Sequence, residues 1–183
     1  MQFKFKHSKI TFNTKAKLVN GLNVTFVFAE DAKSVYQELT KNPQAILVED
    51  LNKLSGLVVH NDTILMSLGA KSKFTSDGLV NVATSLAKFV ASREISEINL
   101  HLTNLHAEKL ALSYAELVEK FIVDFGNGLY YFDDFKTEKT KLALEKVHVS
   151  SDEDLSKALA NAVAILEGYF IVRDLANNPS NVA

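Results

Sequence analysis

The chain has no cysteine, which excludes a disulfide framework, a thiolate nucleophile and a cysteine-ligated metal site. It also has little net charge, since 20 Lys and Arg against 22 Asp and Glu give a formal charge of −2. No overall positive field attracts nucleic acid or an anionic membrane, so any such binding must be local. No apolar run approaches the roughly 18 residues of a membrane span, and the first residues lack the apolar centre of a signal peptide. We expect a soluble, cytoplasmic protein without a membrane partner.

What is present suits one folded domain, because 183 residues, 47% of them apolar, can build a single buried core. Period-two alternation and short apolar runs predict strands near residues 3–12, 22–29, 45–50, 54–60, 63–69, 97–102, 129–132 and 142–149. Apolar residues at helical spacing predict helices near residues 32–39, 78–92, 107–121 and 155–166. This alternation predicts an α/β fold, a mixed sheet flanked by helices, with strand 63–69 at its centre.

Helix boundaries are predicted from local polar residues. Asp31, Asn104 and Ser150 are each placed to cap a helix, the last of them with Glu153 as a capping box. The segment Gly126-Asn127-Gly128 is expected to end the third helix.

The sequence carries no recognisable catalytic or metal-binding motif. HExxH, GxSxG and GxxxxGK[ST] are all missing, and His101 and His106 are five residues apart, so they do not share a helical face. Asp133 and Asp134 are adjacent, and neighbouring residues on an extended chain point apart, which favours a role in a turn over acid–base chemistry. We therefore predict no catalytic, cofactor-binding or metal-binding residue.

Two lysine groups are candidates for anion or DNA contacts. Lys71 and Lys73 follow Gly69 after an apolar strand, where α/β sheets often hold phosphates, although a solvated loop is the simpler interpretation. Lys4, Lys6 and Lys9 belong to an amino-terminal stretch without acids, and lysines on an edge strand more often guard against edge-to-edge pairing.

The segment GYFIVRDLANNPSNVA, residues 168–183, resembles the junction motif of the leucyl aminopeptidase (cytosol aminopeptidase) family. In that motif a helix ends in Gly, a few residues, Arg-Asp-Leu, a residue and Asn, followed by Pro and Asn-Val. The matching positions are Gly168, Arg173, Asp174, Leu175, Asn177, Pro179, Asn181 and Val182. For Arg173 and Asp174 we expect structural roles, with Arg173 on the terminal carbonyls of its helix and Asp174 bonded to the linker that follows.

A second segment, GLYYFDDFKT, is similar to another motif of the same family. The matching positions are Gly128, Tyr130, Phe132, Asp133 and Lys136, whereas Phe135 stands where the family usually has tyrosine. The segment TILMSLGAKSKFT also resembles the strand and loop before a long helix in the family's amino-terminal domain.

The resemblance implies that residues 1–167 form a macro-domain-like amino-terminal accessory domain. Residues 168–183 would then be the end of a linker helix that leads to a carboxy-terminal catalytic domain outside this chain. Family members remove amino-terminal residues from peptides with two divalent metals, zinc or manganese. The resemblance places the metal ligands beyond the Asn-Val segment, so we expect this chain to be inactive alone.

The resemblance also implies partners and alternatives. Full-length members assemble as homo-hexamers, and the accessory domain supports that assembly. The alternative functions are DNA binding through the lysine-rich start and nucleotide binding by analogy with macro domains.

Overall fold

The structure, a computed structural model, describes residues 1–5, 8–15, 21–44, 49–105 and 110–178. The strands are β1 (Gln2–Phe5), β2 (Ser8–Lys15), β3 (Leu22–Val27), β4 (Leu57–His60), β5 (Thr63–Ser67), β6 (Glu97–His101) and β7 (Lys146–Ser150). The helices are α1 (Ala32–Thr40), α2 (Ser76–Ser92), α3 (Tyr114–Gly128) and α4 (Ser156–Asn177). None of the described helices is both long and apolar enough to cross a membrane.

The strands form one mixed sheet in the order β1-β2-β7-β6-β3-β5-β4. The five inner strands are parallel to one another, and each edge is closed by an antiparallel strand, β1 beside β2 and β4 beside β5. The predicted α/β fold, a mixed sheet flanked by helices, is confirmed.

The two faces of the sheet are covered differently. On one face α2, α3 and α4 bury a continuous core that includes Phe12, Phe26 and Phe121. On the other face α1 and a short 3₁₀ helix, Glu49–Asn52, cover only the part around β3 and β5, where a smaller cluster contains Leu51 and Leu65. The opposite-facing positions of β2, β7 and β6 carry polar residues, which follows from period-two alternation.

The predicted position of the strand 63–69 is wrong. β5 lies next to the edge strand β4, and β6 is the middle strand of the seven. β5 is apolar throughout because both of its faces are covered: Ile64 and Met66 belong to the large core, and Leu65 belongs to the small cluster. The predicted strand 45–50 also fails where it can be checked, since Glu49 and Asp50 begin the 3₁₀ helix, while residues 45–48 lie outside the described residues.

The start of α3 differs from the prediction. Leu102–Leu105 forms a short 3₁₀ helix, and Ala111 has a left-handed φ of 53° that is incompatible with a helix interior. The helix begins instead after Ser113, which forms a complete capping box with Glu116. The expected helix start at Asn104 is therefore wrong, and residues 106–109, which include His106, lie outside the described residues.

The segment after α3 also departs from expectation. The helix ends at Gly128, the last residue of the segment expected to end it, but residues 129–132 are irregular chain rather than the predicted strand. Residues 142–145 precede β7 without joining it. The predicted capping box of Ser150 with Glu153 is wrong: α4 begins at Ser156, whose backbone N–H donates to Asp154 Oδ1 at 2.9 Å. Asp31 occupies the N-cap position of α1, as predicted, but its side chain forms no capping hydrogen bond.

Candidate functional site

The two motif segments meet at the carboxyl ends of α3 and α4. The guanidinium of Arg173 lies 3.8 Å from the centre of the Tyr130 ring, a close cation–π contact. Its Nη1 also donates to the backbone carbonyl of Asn127 at 3.2 Å and to the Asn127 side-chain oxygen. Arg173 therefore binds a helix-terminal carbonyl, as expected of its structural role, but the carbonyl belongs to the neighbouring helix α3.

The hydroxyl of Tyr130 links the same two helices. It donates to Asp174 Oδ1 at 2.8 Å and accepts a hydrogen bond from Asn177 Nδ2 at 3.1 Å. The Tyr130 ring packs edge-on against Phe170, with centroids 5.1 Å apart. We call Asn127, Tyr130, Phe170, Arg173, Asp174 and Asn177 the junction cluster. Asp174 thus accepts the Tyr130 hydroxyl, and the linker beyond residue 178, where its expected partner lies, is outside the described residues.

Asp133 organises the loop that follows Tyr130. Its side chain is only 1% exposed, and Oδ2 accepts a hydrogen bond from the Thr140 backbone N–H at 2.5 Å. Its backbone carbonyl accepts from the Lys136 N–H and from Lys139 Nζ, both at 2.9 Å. The ring of Phe132 is half-buried, and the Lys136 side chain is exposed. These contacts hold residues 133–140 as a closed loop beside the junction cluster.

The remaining motif residues lie on the outer side of α4 or beyond it. Gly168 is exposed, and a Cβ added there would meet nothing within 4 Å. Leu175 is 59% exposed. Pro179, Asn181 and Val182 lie outside the described residues. We call the large exposed apolar residues of α4 the α4 apolar face: Ile165, Tyr169, Ile171, Val172 and Leu175.

The predicted anion loop already binds a carboxylate of the protein itself. The backbone N–H of Lys71 donates to both Glu30 carboxylate oxygens at 3.0 Å, and the Gly69 N–H donates to Ser67 Oγ at 3.1 Å. The side chains of Lys71 and Lys73 are exposed. An external phosphate would have to displace Glu30 to reach the Lys71 amide.

The edge lysines lie far from that loop in the sheet. Lys4 and Lys9 are directly opposite each other on β1 and β2, and both are exposed. Three strands separate β2 from β5, after which Lys71 and Lys73 follow, so the structure does not bring the two lysine groups together. Lys6 lies outside the described residues.

A polar group on the less covered face of the sheet was missed by the sequence analysis. His148 is 4% exposed, and its Nε2 lies 2.7 Å from Glu97 Oε1 on the neighbouring strand. Lys146 Nζ lies 3.4 Å from Glu97 Oε2. Burial raises the pKa of Glu97, but hydrogen bonds and charges of His148 and Lys146 outweigh it and lower that pKa. The signal was available: Glu97 and His148 alternate with apolar residues on β6 and β7.

Metal chemistry has no visible support in this part of the protein. Among residues 1–5, 8–15, 21–44, 49–105 and 110–178, no group of three or more His, Cys, Asp or Glu side chains is placed to hold a metal ion. The junction cluster instead offers interhelical hydrogen bonds and ring contacts, which orient α4.

Comparison with known sequences gives a consistent group of relatives. No family model matches the chain. It is 28% identical over 126 residues to a probable cytosol aminopeptidase of Rickettsia canadensis, a match covering 65% of this chain and 24% of that protein. It is 24% identical over 182 residues to a probable cytosol aminopeptidase of Pseudomonas syringae, covering 94% of this chain and 36% of that protein. The chain thus spans about a quarter to a third of these relatives.

Solved structures share the fold at lower identity. A leucine aminopeptidase mutant from tomato superposes with a TM-score of 0.75 at 17% identity, over 100% of this chain and 41% of that one. The bottromycin maturation enzyme BotP in complex with Mn gives a TM-score of 0.63 at 17% identity, over 87% of this chain and 32% of that one. The cytosol aminopeptidase of Coxiella burnetii gives 0.60 at 12% identity, over 93% of this chain and 34% of that one.

Proposed function

We infer that this chain, which is related in sequence to cytosol aminopeptidases and shares the leucine aminopeptidase fold, is the accessory, non-catalytic amino-terminal domain of a two-metal leucyl aminopeptidase. The parent enzyme removes amino-terminal residues from peptides. The shares of the relatives that this chain spans, 24% and 36%, leave room in them for a separate catalytic domain.

The observation that carries the proposal is the α4 apolar face. In the first half of α4, Leu159 and Leu166 are buried against the core. In the second half, Ile171, Val172 and Leu175 are 61%, 64% and 59% exposed. A helix that is apolar on several sides is normally buried on several sides, and clustered exposed apolar residues mark interaction surfaces. We propose that the catalytic domain covers this face.

The junction cluster supports the same role. Arg173 and Asp174 tie the end of α4 to the end of α3 through Asn127 and Tyr130. Such a tie keeps the α4 apolar face at a constant angle to the sheet, as a domain junction requires. Residues 1–167 are then the accessory domain, and 168–183 the junction, although α4 runs without interruption across residues 167 and 168.

Cofactors and assembly follow from the parent enzyme. Two divalent metals, zinc or manganese, would be bound by the catalytic domain, and the BotP complex with Mn is a structural neighbour that carries such a metal. We propose a homo-hexamer for the full-length protein, by resemblance to the family. We also propose a cytoplasmic location, in keeping with the names of the relatives, cytosol aminopeptidases.

The nucleotide-binding alternative is less well supported. Macro-like binding would use the amides at the carboxyl ends of the inner strands. The Lys71 amide there is bonded to Glu30, and the Gly69 amide is bonded to Ser67. Accessory docking is therefore the better-supported function.

A domain exchange tests the proposal. This chain would replace the corresponding amino-terminal part of the Rickettsia canadensis relative, and metal-dependent release of leucine from a leucyl peptide would be measured. We expect an active, soluble chimera. Val172→Asp with Leu175→Asp should abolish its assembly or activity, whereas Lys157→Asp with Glu167→Asp, on exposed positions of the same helix and with the same change of charge, should not. Equal activity of both variants would contradict docking through this face.

A further inference from the structure

A cavity of about 350 Å³ lies at the start of β2 and β7, away from the junction cluster. One wall is the β1–β2 hairpin, and the other is the segment 141–146 that leads into β7. Its volume lies within the range of about 300–1,000 Å³ typical of small-molecule sites.

The lining of the cavity is predominantly basic. Lys9, Lys141 and Lys146 line it, against a single acid, Glu145. Lys146 is partly balanced by Glu97 at 3.4 Å. Within the described residues, Lys9 and Lys141 form no ion pair with a carboxylate. The cavity therefore has positive charge that the described part of the protein does not neutralise.

Lys4 adds to this charge from the neighbouring strand. It is directly opposite Lys9 in the antiparallel ladder, and like charges in such positions repel and destabilise the pair. An anion held beside Lys9 would relieve this repulsion. The arrangement is therefore more favourable with a bound anion than without one.

Polar and apolar groups complete the lining. Ser8 is 6% exposed, and its Oγ accepts the Leu142 backbone N–H at 3.1 Å, which leaves its own O–H proton available as a donor. Gln2 and Thr11 add an amide and a hydroxyl. Leu142 and Leu144 supply apolar contact for an organic group.

We propose that this cavity binds the phosphate group of a small organic phosphate, with Lys9 and Lys141 as the principal charged contacts. Lysine ammonium groups are common phosphate partners, and hydroxyl donors such as Ser8 complete the coordination of phosphate oxygens. A volume of about 350 Å³ suits a small molecule rather than an extended polymer.

Calorimetric titration of the whole chain tests the site. The probes are glucose 6-phosphate, inorganic pyrophosphate, and glucose as the uncharged comparison. We expect saturable binding of both phosphates and none of glucose. Lys9→Gln with Lys141→Gln should weaken binding about tenfold or more, because each lysine contributes a charge-assisted contact.

Lys33→Gln with Lys88→Gln is the matched control, since it removes the same charge from exposed residues outside the cavity. This control should retain the affinity of the unaltered chain. Absence of saturable binding, or an equal loss in both double variants, would overturn the site. A short DNA duplex is titrated in parallel, and binding of DNA with no binding of either phosphate would overturn it as well.

Discussion

Removing the Tyr130 hydroxyl should loosen the end of α4 by a measurable amount. In Tyr130→Phe the ring keeps its contacts with Arg173 and Phe170, while the hydrogen bonds to Asp174 and Asn177 are lost. A hydrogen bond to a charged group contributes about 1.5–3 kcal/mol when well buried. Since Tyr130 is half-buried, we expect a loss of about 1–2 kcal/mol.

The full truncation gives a second value. Tyr130→Ala also removes the edge-on contact with Phe170 and the cation–π contact with Arg173, worth about 0.5–1.5 and 0.5–1 kcal/mol. With the lost ring burial, the total should approach about 3 kcal/mol, near the lower limit for aromatic truncations.

Urea unfolding followed by circular dichroism measures both variants, with Tyr169→Phe as the matched control. Tyr169 is 50% exposed on α4, so its hydroxyl should matter by no more than about 0.5 kcal/mol. A double-mutant cycle of Tyr130→Phe with Asp174→Asn should show coupling, because the two side chains share a hydrogen bond of 2.8 Å. Tyr130→Phe as stable as the control, with no coupling to Asp174, would refute the junction cluster as a tie.

Three further changes test other contacts. Glu97→Gln should make unfolding less sensitive to acid. The pKa of Glu97 is lowered from 4.5 in the folded protein, so this carboxylate stabilises the fold above about that pH and loses the effect on further acidification. Denaturation at a series of pH values measures the difference. Ser113→Ala should cost about 1 kcal/mol in urea unfolding through loss of the α3 capping box. Gly128→Ala should cost about 1–3 kcal/mol because its Cβ would lie 2.8 Å from that of Ala87 on α2, and Ala87→Gly should recover part of the loss.

Much of the fold could be predicted because its helices carry strong local signals. The apolar stripe of α2, a helix of 17 residues, predicts the helix within two residues of its observed start. Prediction of a helix start failed where two capping residues competed. Asn104 and Ser113 both precede apolar residues at helical spacing, and the left-handed backbone at Ala111 shows that the helix begins after Ser113. The apolar composition of β5 does not indicate its place in the sheet, because α1 and the 3₁₀ helix cover the second face of this strand although it lies next to an edge.

The candidate site could also be predicted only in part. The motif residues could be identified from the sequence, but their partners could not, because Tyr130 and Asp174 are 44 residues apart and meet only through the packing of α3 against α4. The bond between Glu30 and the Lys71 amide joins residues 41 apart and is equally invisible to local patterns.

The most direct test of the proposed accessory role is hydrolysis of a leucyl peptide by the purified chain with added zinc or manganese. We expect release of leucine no faster than in buffer with metal alone, because the proposed function places both metals in a separate catalytic domain. Metal-dependent turnover that stays with the chain through successive purification steps would contradict the accessory role.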